Sequence, residues 1–278
     1  MGISVNTNVA ATRAGMYLAS NHANLQKSLD RLSSGRRITE PADDAGGLAV
    51  SMKLEHVGKV LRGTSHNIAN AISLLQVQDG VIKSAADIVS RIGELKSMAS
   101  DVTKNTADKA NYDSEYADLK LQLTSLAATE FNGIGVFNQA LTAAQTTIYL
   151  DESGTQTMTW TNHNLLGGTD MTQLHTTAAT LDPNGTGTVL TQANVTDALE
   201  ELATMRADNG GEVRRLQYAM ANVETQINNI TAANGRIMDV DVALESSNLA
   251  RQQVLVQASA AMTAQANVAN DVALMLLQ

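Results

Sequence analysis

Apolar residues recur along much of this chain at alternating steps of three and four, the heptad spacing of α-helices that pack lengthwise against one another. The longest run begins after Leu48 and ends at Ile92. Its members are positions 54, 57, 61, 64, 68, 71, 75, 78, 82, 85, 89 and 92, all of them apolar except Thr64 and Gln78. A repeat close to 3.5 residues indicates left-handed winding of this helix around a partner.

Three shorter runs predict further helices. The first lies near the N-terminus and includes Leu18, Leu25 and Leu29. The second extends from position 112 to 126, and the third from position 199 to 230. We expect Ile38–Gly47, which contains Pro41, to form an ordered connector between the first helix and the longest one, because proline and paired glycines interrupt helices.

Capping residues predict where several of these helices begin and end. Asp43 is a suitable N-cap for the longest helix, since its carboxylate can accept hydrogen bonds from free backbone N–H groups. Asp197 and Glu200 have the spacing of a capping pair at the start of the third run. The same run is expected to end at Asn234–Gly235, and a last helix is expected to begin after Val242.

The last helix carries two adjacent heptad rows. The first consists of Val254, Ala258, Ala261, Gln265, Val268, Val272 and Met275, and the second of Leu255, Ser259, Met262, Ala266, Ala269, Ala273 and Leu276. Two rows of small and apolar residues make a wide stripe that requires neighbours on more than one side. Asp271 is the only charged side chain in the final 22 residues, and Arg13 the only one in the first 26.

These nearly neutral ends predict contacts between copies of the chain. A solvated helix face normally carries many charges. A single pairing between the N- and C-terminal helices would leave much of both surfaces uncovered. We therefore expect other copies to cover them, with inter-subunit or core packing by Leu18, Leu25, Leu29, Val254, Ala258, Ala261, Val268, Val272 and Met275.

The segment 141–196 differs in composition from the rest of the chain. It contains no Lys or Arg and is rich in Thr, Gly and Asn. The stretches TTIYL and TQTMTWT flank Asp151–Gly154 and predict a β-hairpin. We therefore expect a short, solvent-facing β and loop region within a mainly α fold, a long antiparallel coiled-coil bundle built from the N- and C-terminal segments.

Composition and charge exclude several classes of protein. The net charge is −9 and no basic block is present, which argues against a nucleic-acid-binding surface. There is no cysteine, so neither disulfides nor thiolate metal sites can form. No run of 18 apolar residues indicates a membrane span, and the N-terminus lacks the basic and apolar regions of a secretory signal peptide.

Candidate chemistry is sparse. None of the five histidines belongs to an HExxH motif. The adjacent Asp43 and Asp44, and Asp239 and Asp241 on either side of Val240, are typical of helix caps. No phosphate loop follows a strand, and no nucleophile has a convincing base. We expect no enzymatic activity, no cofactor and no metal. The sequons at Asn184 and Asn194 match a pattern that is common by chance.

Several motifs resemble the bacterial flagellin family. They are LSSGRRI (32–38), DDAGGLAV (43–50), FNG (131–133), RIMDVDVALESSNL (236–249) and QVLVQASAAMTAQAN (253–267). The resemblance implies a subunit of the extracellular flagellar filament, exported unfolded without a cleaved signal peptide. By this resemblance, 1–42 and 236–278 form the inner coiled-coil tube, 43–140 and 197–235 the helical shell, and 141–196 a short variable outer region.

The resemblance also implies partners: other copies of the chain, an export chaperone, and cap and junction proteins. In many flagellins a shell helix contacts a Toll-like innate immune receptor. Arg91, Leu95 and Glu115 occupy the matching positions, whereas Gly93 replaces an arginine of that motif. Recognition is therefore expected to be weaker than in strong agonists. Thr263 also departs from the family, which usually has leucine there.

Two alternatives remain open from the sequence. A hook–filament junction protein shares the terminal pattern but stops after one ring of subunits. A helical membrane-active protein would insert its terminal helices into lipid. The polar residues of the last helix, such as Gln257 and Asn267, argue against lipid insertion, because each unpaired polar group in hydrocarbon costs several kcal/mol.

Overall fold

The computed structural model describes residues 8–137, 146–151, 153–178, 180–182 and 188–275, with side chains of the last helix described as far as residue 268. Its helices are α1 (Val9–Ser34), α2 (Ala45–Ala99), α3 (Thr106–Ala127), α4 (Thr169–Thr172), α5 (Gln192–Met238) and α6 (Val242–Met275), with a π-helical turn at Gln173–Thr177 after α4. Its strands are β1 (Glu130–Phe131), β2 (Ile134–Gly135), β3 (Thr147–Tyr149) and β4 (Thr157–Thr159). The mainly α fold is confirmed, with small hairpins in the middle of the chain.

The chain forms two compact units. The terminal unit consists of Met1–Gly58 and Asn228–Gln278, and the central unit of Lys59–Ile227. The terminal unit contains α1, α6, the first part of α2 and the last part of α5. The three-part division expected from the family resemblance has other boundaries and stays a prediction.

The central unit has a continuous apolar core, and α2 provides its main wall. Within this unit the heptad run predicted for α2 is confirmed, since every one of its positions from Leu61 to Ile92 is buried. Tyr116 and Leu123 of α3 and Leu202 of α5 complete the core. Burying a large aliphatic side chain contributes about 1.5–3 kcal/mol, so this unit has the means to fold without a partner.

The described part of the middle segment differs from the solvent-facing region that its composition predicts. The β3–β4 hairpin is antiparallel, as predicted. The residues that follow it, however, contribute buried side chains to the same core as α2, α3 and α5. These are Leu165, Met171, Leu174, Ala178, Leu181 and Leu190.

Polar contacts hold this segment to the helices beneath it. Lys96 Nζ is buried and donates a hydrogen bond to the carbonyl of Leu181 over 2.7 Å, and burial lowers the pKa of this lysine. The carboxylate of Asp113 accepts hydrogen bonds from Leu181 N (2.7 Å) and Thr180 Oγ1 (2.8 Å). Tyr116 donates its hydroxyl to the carbonyl of Leu174 over 2.5 Å. The segment is thus part of the central unit's packing.

Local capping explains where the helices near the connector begin. Asp44, not Asp43, caps α2: its Oδ1 accepts a hydrogen bond from Gly47 N over 2.8 Å. The predicted connector Ile38–Gly47 therefore ends too late, since Gly46 and Gly47 belong to α2. It also begins too late, because Gly35, with a φ of 70°, ends α1 in a left-handed conformation. Asp43 instead accepts hydrogen bonds from Thr39 N and Thr39 Oγ1, which fold the connector onto itself.

The start and end predicted for α5 also need correction. The helix begins at Gln192, five residues before Asp197, because Thr191 and Asn194 cap it: Thr191 N donates to Asn194 Oδ1 over 3.1 Å, and Asn194 N donates to Thr191 Oγ1 over 3.2 Å. It continues past Asn234–Gly235 to Met238. The start predicted for α6 is confirmed.

Candidate assembly surface on the terminal helices

The N- and C-terminal helices lie side by side in the terminal unit and run antiparallel. Asn8 Nδ2 donates a hydrogen bond to the carbonyl of Ala266 over 2.8 Å, whereas Asn21, farther along α1, contacts Ser259, which is earlier in α6. Near the other end of the pair, Arg31 lies 3.9 Å from Glu245. The predicted antiparallel pairing of the chain ends is thereby confirmed.

The contact between the two helices mixes apolar and polar side chains and is only partly buried. On α1, the residues turned towards α6 follow the heptad steps 11, 14, 18, 21, 25, 28 and 32. On α6, the matching positions are 245, 249, 252, 256, 259, 263 and 266, which we call the inner row. Several inner-row residues are hydrophilic, among them Gln252, Ser259 and Thr263. Leu18, Leu25 and Val256 supply apolar contact, but the hydrophilic members of the inner row limit the apolar burial that the pair gains from its own contact.

The apolar side chains of both helices lie largely on the outside. Met16 of α1 is 67% exposed and Val254 of α6 is 64% exposed. The other exposed large apolar residues of the pair are Val9, Tyr17, Leu29, Val242, Leu244, Leu255, Met262 and Val268. A stable soluble protein rarely leaves so many large apolar side chains in water on two neighbouring helices.

One groove along the pair concentrates these exposed residues. It has a volume of about 730 Å³ and is lined by Val9, Ala10, Arg13, Ala14, Tyr17, Asn21, Leu255, Ala258, Ser259 and Met262. We call it the terminal groove. Arg13 is the one charged residue in this lining, so its walls are suited to an apolar, nearly neutral occupant such as another helix.

The structure distributes the predicted packing residues over two faces. Leu18 and Leu25 are half-buried in the contact with α6, and Leu29 is exposed. The members of the first predicted row whose side chains the structure describes, which we call the outer row of α6, are all exposed: Val254, Ala258, Ala261, Gln265 and Val268. The side chains of Val272 and Met275 lie outside the described residues. Packing of these positions against other copies stays a prediction.

Reading the sequence for apolar residues missed the inner row as the contact with α1. The inner row has the same steps of three and four as the outer row, so the period alone does not separate them. Ser259 and Ala266 belong to the second predicted row, whereas Gln252 and Thr263 belong to neither predicted row. The available signal was that two asparagines of α1, Asn8 and Asn21, need polar partners on α6.

A compact group of charges lies where α1, α6 and the connector meet. Asp43 forms ion pairs with Lys27 and, at 3.8 Å, with Arg31. The hydrogen bond from Lys27, with those from the backbone of Thr39 and Glu40, holds the pKa of Asp43 well below its usual range against the opposing effect of burial. This cluster ties the connector to α1 within the terminal unit.

The predicted receptor residues lie in the central unit and differ in exposure. Arg91 Nε donates to Glu115 Oε1 over 2.9 Å, and Arg91 also pairs with Glu94 at 2.8 Å. Both ion pairs lie at the surface. Leu95 is fully buried in the core of the central unit. The structure thus brings Arg91 and Glu115 together and separates Leu95 from any surface contact in this chain.

Among the described residues there is no group of three His, Asp or Glu side chains arranged to hold a metal ion. Within the same residues, no helix combines the length and apolar character needed to cross a membrane. His175 Nε2 lies 2.7 Å from Thr124 Oγ1, and His163 is buried, so both belong to the packing of the central unit.

Comparisons with known proteins give a consistent result. Residues 5–142 match the family model described as the bacterial flagellin N-terminal helical region, and residues 192–277 match that of the bacterial flagellin C-terminal helical region. The chain is 31% identical over 292 residues to the "Flagellar filament 33 kDa core protein" of Treponema phagedenis, with 99% of each chain covered.

A second relative is the flagellin of Bacillus subtilis strain 168, which is 30% identical over 306 residues, again with 99% of each chain covered. The crystal structure of Bacillus cereus flagellin aligns with 61% of this chain and 94% of that chain, at 26% identity and a TM-score of 0.47.

Proposed function

This chain belongs to the bacterial flagellin family, and from that premise we propose that it polymerises into the helical flagellar filament through its two terminal helices. The filament lies outside the cell, and the subunit acts there as a structural protein without catalytic activity. No observation favours the alternative of a hook–filament junction protein.

The observation that carries this proposal is the outward position of the apolar residues on α1 and α6. Val254, Met262 and Met16 are each largely exposed in the single chain. Their burial against other copies would stabilise an assembly by about 25 cal/mol per Å² of apolar surface removed from water. The same residues have no equivalent burial in the isolated subunit.

We propose that ordering of the terminal helices is coupled to assembly. Fixing one residue's backbone costs about 1–2 kcal/mol in conformational entropy, and the partly buried contact between α1 and α6 offsets only a part of that cost. Neighbouring copies supply the remaining apolar burial. The free subunit therefore keeps its central unit folded and its ends mobile, and the ends become helical on incorporation.

A repeated contact of one kind between identical copies propagates as an open helix when it does not close into a ring. In the filament, we propose that 1–42 and 236–278 form the inner tube, that 43–140 and 197–235 form the shell, and that 141–196 reaches the outer surface. The antiparallel pairing of α1 with α6 supports the inner tube, and the complete core of the central unit supports the shell. The buried residues of the middle segment, such as Leu165 and Met171, attach 141–196 to that shell.

The remaining partners follow from family membership. We propose that the chain is exported unfolded, without a cleaved signal peptide, after binding an export chaperone, and that it assembles between junction and cap proteins. The exposed apolar faces of α1 and α6 are suitable sites for chaperone contact before assembly. We propose only weak recognition by a Toll-like receptor, through Arg91 and Glu115, because Leu95 is buried and Gly93 lacks the guanidinium group.

The deletion of residues 254–278 tests the main proposal. We expect a soluble monomer whose central unit melts at the same temperature as in the full chain but which cannot polymerise. Filament formation is measured by negative-stain microscopy and sedimentation after addition of filament seeds. Normal filaments from the deleted chain would contradict the proposal. Failure of the full chain itself to polymerise with seeds would contradict it more directly.

A further inference from the structure

Helix α6 has two faces with which α1 could pair, the inner row and the outer row. The inner row of α6 meets α1 with polar residues such as Gln252, Ser259 and Thr263. The outer row, on the opposite side of the same helix, offers Val254, Ala258, Ala261 and Val268, with Gln265 as its one polar member among the described side chains. Because association in water is driven mainly by apolar burial, α1 would pair more favourably with the outer row if nothing opposed it. Something in the sequence must therefore favour the inner row.

Asn21 of α1 makes a side-chain hydrogen bond to the inner row of α6. Its Nδ2 donates a hydrogen bond to Ser259 Oγ over 2.7 Å, and it lies 3.5 Å from the carbonyl of Leu255. Ser259 Oγ in turn donates to the carbonyl of Leu255 over 2.6 Å, which fixes the hydroxyl with its lone pairs towards Asn21. The contact joins two side chains that are far apart in sequence and partly buried between the helices.

The outer row has no equivalent partner at this level of the helix, because its polar member Gln265 lies about two turns beyond Ala258. Val254, Ala258 and Ala261 carry no hydrogen-bonding side chain, so pairing through that face would leave the Asn21 amide against apolar groups. Asn8, the other asparagine in the contact, is less selective because it donates to the backbone carbonyl of Ala266. Every residue of a helix has such a carbonyl, whereas the hydroxyl that Asn21 meets belongs to Ser259.

We propose that Asn21 determines the face and the register by which α1 pairs with α6, and thereby leaves the outer row free for neighbouring copies. A single polar residue in a helix contact is known to specify register at a cost in stability. This inference rests on the proposed assembly through the terminal helices. Substitution of Asn21 should therefore change how α1 and α6 are arranged and not only weaken their contact.

Since the chain contains no cysteine, spin labels can be placed without background. Cysteines replace the exposed His22 on α1 and Gln253 on α6, and a small minority of doubly labelled subunits is copolymerised with unlabelled full-length chain. Electron–electron dipolar spectroscopy then measures the distance between the two labels. We expect one narrow distance for the wild-type sequence and a second, resolved distance for Asn21→Leu and for Ser259→Leu.

The matched control is Asn24→Leu, which makes the same change at an exposed position of α1 that borders the contact row but does not belong to it. It should keep the single distance. The exchange variant Asn21→Ser/Ser259→Asn retains both polar groups and should recover the single distance, which a purely structural role of Asn21 would not produce.

A single native distance for Asn21→Leu, or an equally large second distance for Asn24→Leu, would overturn the inference. If Asn21→Leu subunits do not enter filaments, the exchange variant provides the test. Its incorporation into filaments with the native distance supports the inference, and its failure to enter filaments overturns the inference. Failure of the unlabelled wild-type chain to polymerise would instead contradict the proposed function, so the two failures are distinguishable.

Discussion

The terminal and central units use the same heptad spacing in opposite ways. In the central unit, the predicted positions of α2 are buried against side chains of the same chain, with Ile68, Ile82 and Ile92 fully inaccessible. In the terminal unit, the row that meets α1 is more hydrophilic than the outer row, and the outer row is exposed. We propose from this difference that the central unit is a complete fold, whereas the terminal unit is one part of an interface that other copies complete.

The largest expected effect is obtained by placing a charge on the outer row. Ala261→Lys or Val268→Lys should raise the critical concentration for polymerisation about 100-fold or more, since an unpaired buried charge costs about 3–5 kcal/mol. The measurement is the concentration of unpolymerised subunit at equilibrium with filaments. Ala117→Lys, at an exposed position of α3, is the control and should leave the critical concentration within a few-fold of wild type. An unchanged critical concentration for Val268→Lys would show that the outer row stays in water.

Two side-chain truncations, one in each unit, distinguish residues that stabilise the free subunit from residues that are buried only in the filament. Leu202→Ala removes a fully buried side chain from the central unit and should destabilise the free subunit by about 2–5 kcal/mol. Val254→Ala should leave thermal unfolding of the free subunit unchanged but raise the critical concentration about tenfold, because the lost methyl groups are buried only on assembly. Calorimetry of the free subunit and sedimentation of filaments measure the two effects. A lower melting temperature for Val254→Ala would mean that the terminal helices are already folded in the monomer.

A smaller effect is expected from Tyr116→Phe in the central unit. This change removes the hydrogen bond to the Leu174 carbonyl and leaves that carbonyl without its donor. It should lower the free energy of unfolding by about 1 kcal/mol, measured by urea denaturation of the free subunit. The control is Tyr218→Phe, because Tyr218 is exposed on α5 and should contribute nothing measurable. Equal stability of the two variants would show that the middle segment is not held through Tyr116.

The smallest effect concerns pH and the charge cluster at Asp43. Because the pKa of Asp43 is lowered in the folded state, its stabilisation is complete above the ordinary carboxyl pKa of about 4 and is lost as the pH falls through the lowered value. Asp43→Asn filaments should dissociate at a lower temperature than wild type at neutral pH, and the difference should shrink below about pH 4. Asp30→Asn, which changes an exposed carboxylate of α1, serves as the control. A difference that stays constant down to strongly acidic pH would exclude the ion pair as its cause.

Much of the fold could be predicted because burial and apolar spacing coincide where a helix packs within its own chain. The run from Leu61 to Ile92 in α2 and the turn at Asn132–Gly133 are examples. Both Asn132 and Gly133 have a positive φ, of 52° and 76°, which suits these two residue types. In such places, local preference and tertiary packing favour the same conformation.

The remaining features depend on information that apolar spacing does not contain. The inner row of α6 is recognised by hydrogen bonds to asparagines of α1, so a search for apolar residues selects the outer row instead. The leucines and methionines of the middle segment, such as Leu165 and Met171, follow no regular period, and the many threonines around them conceal their role in the core. Asp43 and Asp44 are chemically equivalent in the sequence, and only the conformation of the connector determines which of them caps α2.

We expect the turn of the β3–β4 hairpin to accept an inserted foreign peptide. Asp151 accepts hydrogen bonds from Thr155 N, Gln156 N and the hydroxyl of Ser153, so one carboxylate organises the turn. The tip of the turn at Ser153–Gly154 is exposed. Foreign peptides are tolerated best at exposed tips whose backbone makes few tertiary contacts. An epitope inserted between Ser153 and Gly154 would leave the core intact, whereas the same insertion between Leu174 and Leu181 would separate side chains that the core requires.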